Sequence, residues 1–321
     1  MLLLGGGAVN AAAEALELAR RLGAVVMTTV AGSGVLPADD PLSAGVCLAT
    51  SAGREALAAA DLVIAAGTEL AETHHWTDSL PIVAPLIRID LDLAELTDRE
   101  AEVALQSDAT LAFQALCDAL PEGVSDLDEA SSPAAAVRRL VRDAQRGLAP
   151  DRVALLDALR GGLPRDAILA TDMTKLAYTA CSVFPSYAAR RFLHPSGYGT
   201  LGFALSAAIG AAIACPDRAV VAIIGDGGLQ FTLPELACAA ELGRALVVLV
   251  YDNNGNGMIR DGMERANIPA IGVDPSGPNL ALVARAFDAI YLEAADPASL
   301  ASAIGKAVQH PGLSLVRFRD A

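Results

Sequence analysis

Two short glycine-rich segments carry the residue types best suited to chemistry: Gly225-Asp226-Gly227-Gly228 and Asp252-Asn253-Asn254-Gly255-Asn256-Gly257. Each closes an apolar run, VVAIIGD over 220–226 and ALVVLVYD over 245–252. Asp226 and Asn253 lie 27 positions apart, roughly the length of one strand–helix–strand passage in an open sheet. That spacing sets a carboxylate beside an amide at one sheet edge. Both are hard oxygen ligands suited to Mg2+ or Ca2+. The flanking glycines have no Cβ, so backbone N–H groups can close on an anion. Together these residues describe a metal-bridged diphosphate site. The charge balance is consistent with such a site. With 23 Lys and Arg against 38 Asp and Glu, the formal charge is −15. A phosphate must therefore be held by backbone N–H groups or a metal rather than by a basic patch. The same balance argues against nucleic acid and against an anionic membrane surface as partners.

The elements that must position these segments alternate as short apolar strands and longer amphipathic stretches, an α/β pattern. In the first half, strands are expected at 2–5, 24–30, 62–67 and 86–90, with helices near 10–22, 53–60 and 109–119. In the second half, strands are expected at 167–172, 220–226, 245–252 and 313–319, with helices near 151–160, 202–215, 233–242 and 298–308. The polar stretch 121–132, PEGVSDLDEASS, reads as an interdomain linker. The expected fold is thus α/β with two domains, 1–120 and 151–321, joined by a linker and connecting helix over 121–150. Each domain is an open parallel sheet with helices on both faces, and ligands sit at the carboxyl ends of such strands. A length of 321 residues agrees with two domains.

Hydrophobic residues make up 53% of the chain and the mean hydropathy is +0.43. The longest apolar stretch, 202–215, nevertheless falls short of the roughly 20 residues a spanning helix needs. Met1 runs into LLLGGG without a basic segment, so no signal peptide is expected. The five cysteines are scattered and form no CxxC pair. They read as reduced thiols in a cytoplasmic protein.

The spacing and its surroundings resemble the thiamine diphosphate (ThDP) enzymes. The blocks ATDMTKLAY (170–178), SGYGTLGFALSAAIGAA (196–212), GDGGLQFTLPELACAAELG (225–243) and NNGNGMI (253–259) resemble, in order, the cofactor domain of the acetolactate synthase and benzoylformate decarboxylase group. Residues 1–120 resemble that group's Rossmann-like middle domain, and 151–321 its diphosphate-binding domain. The resemblance implies that Mg2+ is bound by Asp226, the Asn253 side chain and the Gly255 carbonyl. It implies that Gly225, Gly227, Gly228, Gly257 and Met258 line the diphosphate, with Thr174 and Lys175 touching it from another loop. Leu201 matches the large apolar residue that wedges the cofactor into its bent form. The Gly199 carbonyl matches the acceptor for the pyrimidine amino group. Leu201, Met258 and Ile259 are the implied catalytic-pocket residues. Two positions depart from the pattern: Asn256, where relatives often carry Tyr, and Asp252, where they usually carry Asn.

Other motifs read differently. DNNGNG resembles the start of an EF-hand, but loop position 12 would be Met263 and a strand precedes it. Gly197 to Gly202 is a literal GxGxxG whose expected acid falls near Asp217, and Gly5-Gly6-Gly7 has no further glycine in place. Adjacent His74 and His75 have poor metal spacing; they are expected in a polar loop, with a substrate-facing loop as the alternative. His194 is a candidate pocket residue. Glu235 is expected near a helix start, where an acid is favourable.

In the resembling group, a glutamate of a separate N-terminal domain activates the pyrimidine, usually across a subunit boundary. The chain begins at the middle domain, so a fragment or a split-enzyme subunit is expected, binding ThDP weakly and turning over nothing alone. A homo-oligomer (dimer or tetramer), or a partner subunit carrying the pyrimidine-binding domain, follows from the same resemblance. FAD-binding relatives use an arginine after the strand equivalent to LVIAAG. GTELAETHHW stands there instead, so no FAD is expected. GTLGFAL and IRDGM resemble decarboxylases of small-molecule 2-oxo acids, notably 5-guanidino-2-oxopentanoate. An acetolactate synthase-like carboligase and a non-catalytic ThDP- or nucleotide-binding module remain open.

Overall fold

In the computed structural model, residues 1–122, 128 and 131–320 are described. The chain divides into two units, Met1–Leu148 with Pro185–Phe192, and Ala149–Phe184 with Leu193–Ala321. Of the expected connector 121–150, residues 123–127 and 129–130 lie outside the described residues. Its helical part belongs to the first unit.

The first unit holds strands β1 (Leu2–Leu4), β2 (Val26–Thr28), β3 (Ser43–Gly45), β4 (Val63–Ala66), β5 (Leu86–Asp90) and β6 (Val103–Gln106). They form one sheet in the order β3-β2-β1-β4-β5-β6, all pairings parallel. The helices are α1 (Ala12–Leu22), α2 (Ser51–Ala58), α3 (Leu93–Thr97), α4 (Ala109–Ala119) and α5 (Pro133–Leu148). Side chains alternate across a strand, and β1 displays this directly. Leu2 and Leu4 join Ala15 and Leu18 of α1 and Phe113 of α4 in one core. Leu3 joins Leu57 of α2 and Val137 and Val141 of α5 in another. The sheet is therefore covered on both faces, which accounts for strands that are continuously apolar rather than alternating. The expected strand 24–30 is shorter than its apolar run. After Thr28 the chain turns, with Gly32 N–H donating to the Thr29 carbonyl at 3.1 Å.

Adjacent His74 and His75 belong to this unit, around a 3-10 turn at Glu72–His74. His75 is buried, with Nδ1 2.8 Å from Thr77 Oγ1. Burial holds the His74 pKa below its ordinary value. The segment is a loop as expected, with Glu72, Thr73 and Asp78 exposed and His75 turned inward.

The second unit contains α6 (Pro150–Gly161), β7 (Ile168–Thr171), α7 (Lys175–Val183), the end of β8 (Phe192–Leu193), α8 (Phe203–Ala214), β9 (Val220–Gly225), α9 (Asp226–Phe231) and α10 (Leu236–Glu241). It continues with β10 (Leu246–Asp252), α11 (Gly257–Arg265), α12 (Leu280–Ala286), β11 (Ile290–Ala294), α13 (Pro297–Ala307) and β12 (Leu313–Arg319). The sheet order is β11-β12-β10-β9-β7-β8. β7–β9, β9–β10, β10–β12 and β11–β12 all pair in parallel. The apolar stretch 202–215 is α8, whose Ala204, Leu205, Ala208 and Ala212 pack on Ala222, Ile224, Val248 and Val250. Among the described residues, no helix is long and apolar enough to cross a membrane. All five cysteines are free.

Candidate functional site

Parallel pairing places Gly225 opposite Tyr251. The next residues, Asp226 and Asp252, therefore leave the sheet side by side. Asp226 opens α9 directly, so the first chemistry-bearing segment is a helix start as well as a strand end. The residue is buried, at 8% exposure. Its Oδ2 accepts the Gly255 N–H at 2.7 Å, while Oδ1 is buried with no hydrogen-bond partner. Burial pushes the Asp226 pKa above the usual carboxylate range, opposed by the Gly255 N–H.

The second segment is braced on both sides. Asn254 (φ 59°) and Gly255 (φ 133°) adopt left-handed backbone, and a Cβ on Gly255 would fall 2.4 Å from the Val273 carbonyl oxygen. Only glycine fits there. Asp252 Oδ1 accepts the Asn254 N–H at 3.1 Å, and its Oδ2 accepts Arg317 Nε of β12 at 2.7 Å. Arg260 of α11 donates to the Asn254 carbonyl at 2.9 Å and pairs with Asp274. The carbonyl of Asn256 accepts the N–H groups of Ile259 and Arg260, each at 3.0 Å, which starts α11.

A second wall comes from the turn after β7. Thr174 caps α7 by accepting the Ala177 N–H at 3.1 Å, the usual role of a threonine at that position. Lys175 follows, paired with Asp261 of α11 at 2.7 Å. The glycines close this wall on the two loops. A Cβ on Gly257 would lie 2.5 Å from Asn253 Nδ2 and 3.1 Å from Lys175 Cε. One on Gly227 would lie 2.9 Å from Asn256 Oδ1, and one on Gly225 3.3 Å from Thr174 Cγ2.

The third wall is the loop entering α8. Gly199 (φ 64°) and Gly202 (φ 84°) are left-handed. Between them Leu201 is 38% exposed, an apolar side chain held out from the fold. Asp172, fully buried at the end of β7, ties this wall to the second. Its Oδ1 accepts the Met173 N–H and its Oδ2 the Gly202 N–H, each at 2.8 Å.

These walls enclose a cavity of about 410 Å³. All residues expected at the site line it. Gly225, Asp226, Gly227 and Gly228 come from the first segment, and Asn253, Gly255 and Gly257 from the second. Thr174, Lys175, Gly199, Leu201, Met258 and Ile259 complete the set. Sequence reasoning did not single out Asp172 or Tyr178. An acid ending a fully apolar strand, beside the strand that ends in Asp226, was the available signal for the first. His194 stands beside β7, its Nδ1 2.8 Å from Thr171 Oγ1, and burial pushes its pKa down to about 4.

The cavity chemistry fits a divalent cation holding a diphosphate. Asp226, with one buried, unpartnered carboxylate oxygen, and the Asn253 amide line the same cavity, and the glycines beside them leave no Cβ over the space between the loops. Among the described residues, no three His, Cys, Asp or Glu side chains gather as a metal cluster. An ion here would take one carboxylate with amide and carbonyl oxygens, a hard set suited to Mg2+. Among the described residues, Lys175 is the one cationic side chain lining the cavity and Asp226 the one anionic.

Comparison with known proteins bears on both halves of the chain. Residues 172–318 match the family model "Thiamine pyrophosphate enzyme, C-terminal TPP binding domain", and residues 1–116 match the corresponding central domain. A probable 2-ketoarginine decarboxylase of Pseudomonas aeruginosa is 41% identical over 100% of this chain and 58% of its own length. The acetolactate synthase isozyme 1 large subunit of Escherichia coli is 29% identical over 99% of this chain and 58% of its own. A solved thiamine diphosphate-dependent 4-hydroxybenzoylformate decarboxylase of Rhodococcus jostii superposes with a TM-score of 0.80 at 25% identity. That match covers 99% of this chain and 60% of the other. The chain thus spans somewhat under two thirds of the length of these relatives.

Proposed function

Because the chain belongs to the thiamine pyrophosphate enzyme family, we propose that its cavity holds thiamine diphosphate through Mg2+ and serves the decarboxylation of a 2-oxo acid. When bound, the cofactor supplies an electron sink for the pair released as CO2 departs. In this reading Asp226, the Asn253 amide and the Gly255 carbonyl hold Mg2+. The backbones of Gly225, Gly227, Gly228, Gly257 and Met258 approach the diphosphate, with Thr174 and Lys175 on its other side. Leu201 supports the cofactor's bent shape, and the Gly199 carbonyl accepts from the pyrimidine amino group. Met258 and Ile259, 42% and 60% exposed, keep water from the reacting carbon. The observation that carries the reading is the Asp226 carboxylate, which lines the glycine-rich cavity and has one oxygen, Oδ1, buried without a hydrogen-bond partner.

Similarity to the Pseudomonas protein points to 2-ketoarginine, which is 5-guanidino-2-oxopentanoate, as the substrate. Similarity to acetolactate synthase supports a second reading, carboligation of 2-oxo acids. A pyrimidine-binding domain, carrying the activating glutamate, is proposed to complete the site from the remainder of the enzyme or a partner subunit in an oligomer. Five free thiols favour a reducing, cytoplasmic setting.

Calorimetry tests the binding reading: the chain should take up ThDP only with Mg2+, and Asp226→Ala should abolish that uptake. Metal-independent binding, or binding that survives Asp226→Ala, refutes it. Product analysis of the completed enzyme separates the activities. CO2 with 4-guanidinobutanal marks the decarboxylase, acetolactate from pyruvate marks the carboligase, and binding without turnover marks a module.

A further inference from the structure

Asp172 is a fully buried carboxylate whose oxygens both accept backbone N–H groups, Met173 on one side and Gly202 on the other, at 2.8 Å each. The two donors belong to different walls of the cavity. Met173 leads directly into Thr174 and Lys175. Gly202 ends the loop that carries Gly199 and Leu201. Without this bond the 197–202 loop is left to turns such as the Gly199 N–H donating to the Pro195 carbonyl at 3.3 Å. The contact surfaces agree. A Cβ on Gly199 would sit 2.8 Å from Met173 Cε, and one on Gly228 would sit 3.4 Å from Asp172 Oδ2. The carboxylate is thus the point where the β7 turn, the start of α9 and the entry to α8 meet.

Burying an ion is expensive unless it is well hydrogen-bonded. An apolar residue at 172 would avoid that cost but could not accept either N–H. Burial raises the Asp172 pKa and the backbone donors pull it back, so desolvation is only partly offset. A fold needing nothing more than a filled position would not keep a charge there.

We propose that Asp172 is a positioning residue: it fixes Leu201 and Gly199, the ring-facing wall, relative to the diphosphate loops, so that a rigid cofactor finds both at once. The inference rests on the cofactor reading above. It assigns Asp172 no contact with cofactor or metal. At the diphosphate end, the Thr174 N–H is held by the Asp172 main-chain carbonyl at 3.0 Å, a bond that a change of side chain leaves in place, and Asp226 is held by the Gly255 N–H rather than by Asp172. Loss of Asp172 should therefore weaken whole-cofactor binding and spare binding of the diphosphate alone.

The experiment compares Mg·ThDP with Mg·pyrophosphate by calorimetry on the 321-residue chain. Variants are Asp172→Asn, Asp172→Glu, Leu201→Ala and the Asp172→Asn/Leu201→Ala pair. The Asn variant keeps one acceptor and turns an NH2 toward an N–H donor. It should weaken ThDP by roughly tenfold, the worth of one hydrogen bond to a charged group, and leave pyrophosphate within about twofold. Asp172→Glu, which restores the charge, should recover part of the loss. If Asp172 acts through Leu201, the double variant should bind ThDP no worse than the weaker single one. Equal losses for ThDP and pyrophosphate, additive losses, or unchanged ThDP binding in Asp172→Asn overturn the proposal. Loss of the native circular dichroism spectrum in both Asp172 variants also overturns it, since the residue would then serve folding alone. Failure of the wild-type chain to bind Mg·ThDP instead strikes the cofactor reading.

Discussion

Gly257→Ala separates folding from binding by sign. Gly257 is the first residue of α11 and its φ is not positive, so alanine meets no backbone strain there. Replacing a glycine by alanine at a position of compatible backbone stabilises by about 0.4–1 kcal/mol, mainly by restricting the unfolded chain. The added methyl, however, would lie 2.5 Å from Asn253 Nδ2 and 3.1 Å from Lys175 Cε. An ordinary contact needs about 3.4–4 Å, so the Asn253 amide must move by about 1 Å. That amide is a short side chain ending in the cavity, and its displacement disturbs little of the core. Metal ligands, by contrast, tolerate only about 0.2 Å. The variant should therefore melt within a few degrees of wild type while Mg·ThDP affinity falls by roughly 10- to 100-fold, matching about 1.5–3 kcal/mol for one charge-directed contact. Thermal unfolding and calorimetry on the same preparation measure the two. Unchanged affinity with native stability would show that Asn253 does not hold the metal, and the reasoning fails.

The Lys175–Asp261 pair, 2.7 Å long and part-exposed, competes with a diphosphate for the same ammonium. Asp261→Asn should tighten Mg·pyrophosphate binding a few-fold, since such a pair is worth at most about 1 kcal/mol; weaker or equal binding by calorimetry contradicts the competition. His194, with its pKa pushed down to about 4 by burial, stays neutral in the fold below the pH at which the unfolded chain takes a proton. Its contribution to stability is complete above about pH 6.5 and declines as pH falls toward 4, by at most about 2 kcal/mol at pH 5. Denaturant unfolding of wild type and His194→Asn at pH 7.5 and 5.0 should show that differential, and parallel pH dependence would exclude it. Gly243 lies in an exposed turn before β10 with φ 58° and open space around it. Inserting a glycine after it changes the Asp226–Asn253 spacing to 28 but should cost under about 1 kcal/mol and leave Mg·ThDP affinity within about twofold; a tenfold loss would mean that spacing rather than register sets the site.

The strands legible in the sequence are those buried on both faces. LLL of β1, VIAA of β4, VVAIIG of β9 and LVVLVY of β10 are apolar throughout because helices cover each side. β6 escapes detection because VALQ is an exposed edge strand, and β3 because SAG carries no apolar signal. Helices α9 and α11 are hidden for another reason. DGGLQF and GMIRDGMER begin with the glycines that the cavity requires, and glycine depresses helix propensity. Function and local propensity conflict there, and function prevails. In the site, Asp226 and Asn253 were legible because their spacing reflects one strand–helix–strand passage. Asp172 was not, because its partner Gly202 is 30 positions away and their meeting is a tertiary event.

The site draws its precision from the core rather than from its loops. Residues 220–224 of β9 and 246–251 of β10 are nearly inaccessible, and they pair without a break up to Gly225 and Tyr251. A slip of one residue would turn Val248 and Val250 away from α8, so the register is strongly specified. Asp226 and Asn253 inherit it. The same sheet resolves Asp252, where relatives usually carry Asn. A second carboxylate beside Asp226 would add an unscreened negative charge at the proposed diphosphate position. β12 pairs with β10 in register, Arg317 opposite Val250, and the Arg317 guanidinium reaches forward to bind Asp252 Oδ2. The acid is thereby neutralised from the side of the neighbouring strand, and its other oxygen shapes the loop through the Asn254 N–H. Asp226 remains, among the described residues, the one carboxylate lining the cavity. A chain of net charge −15 can thus present a diphosphate with a single acid, provided Mg2+ stands between them.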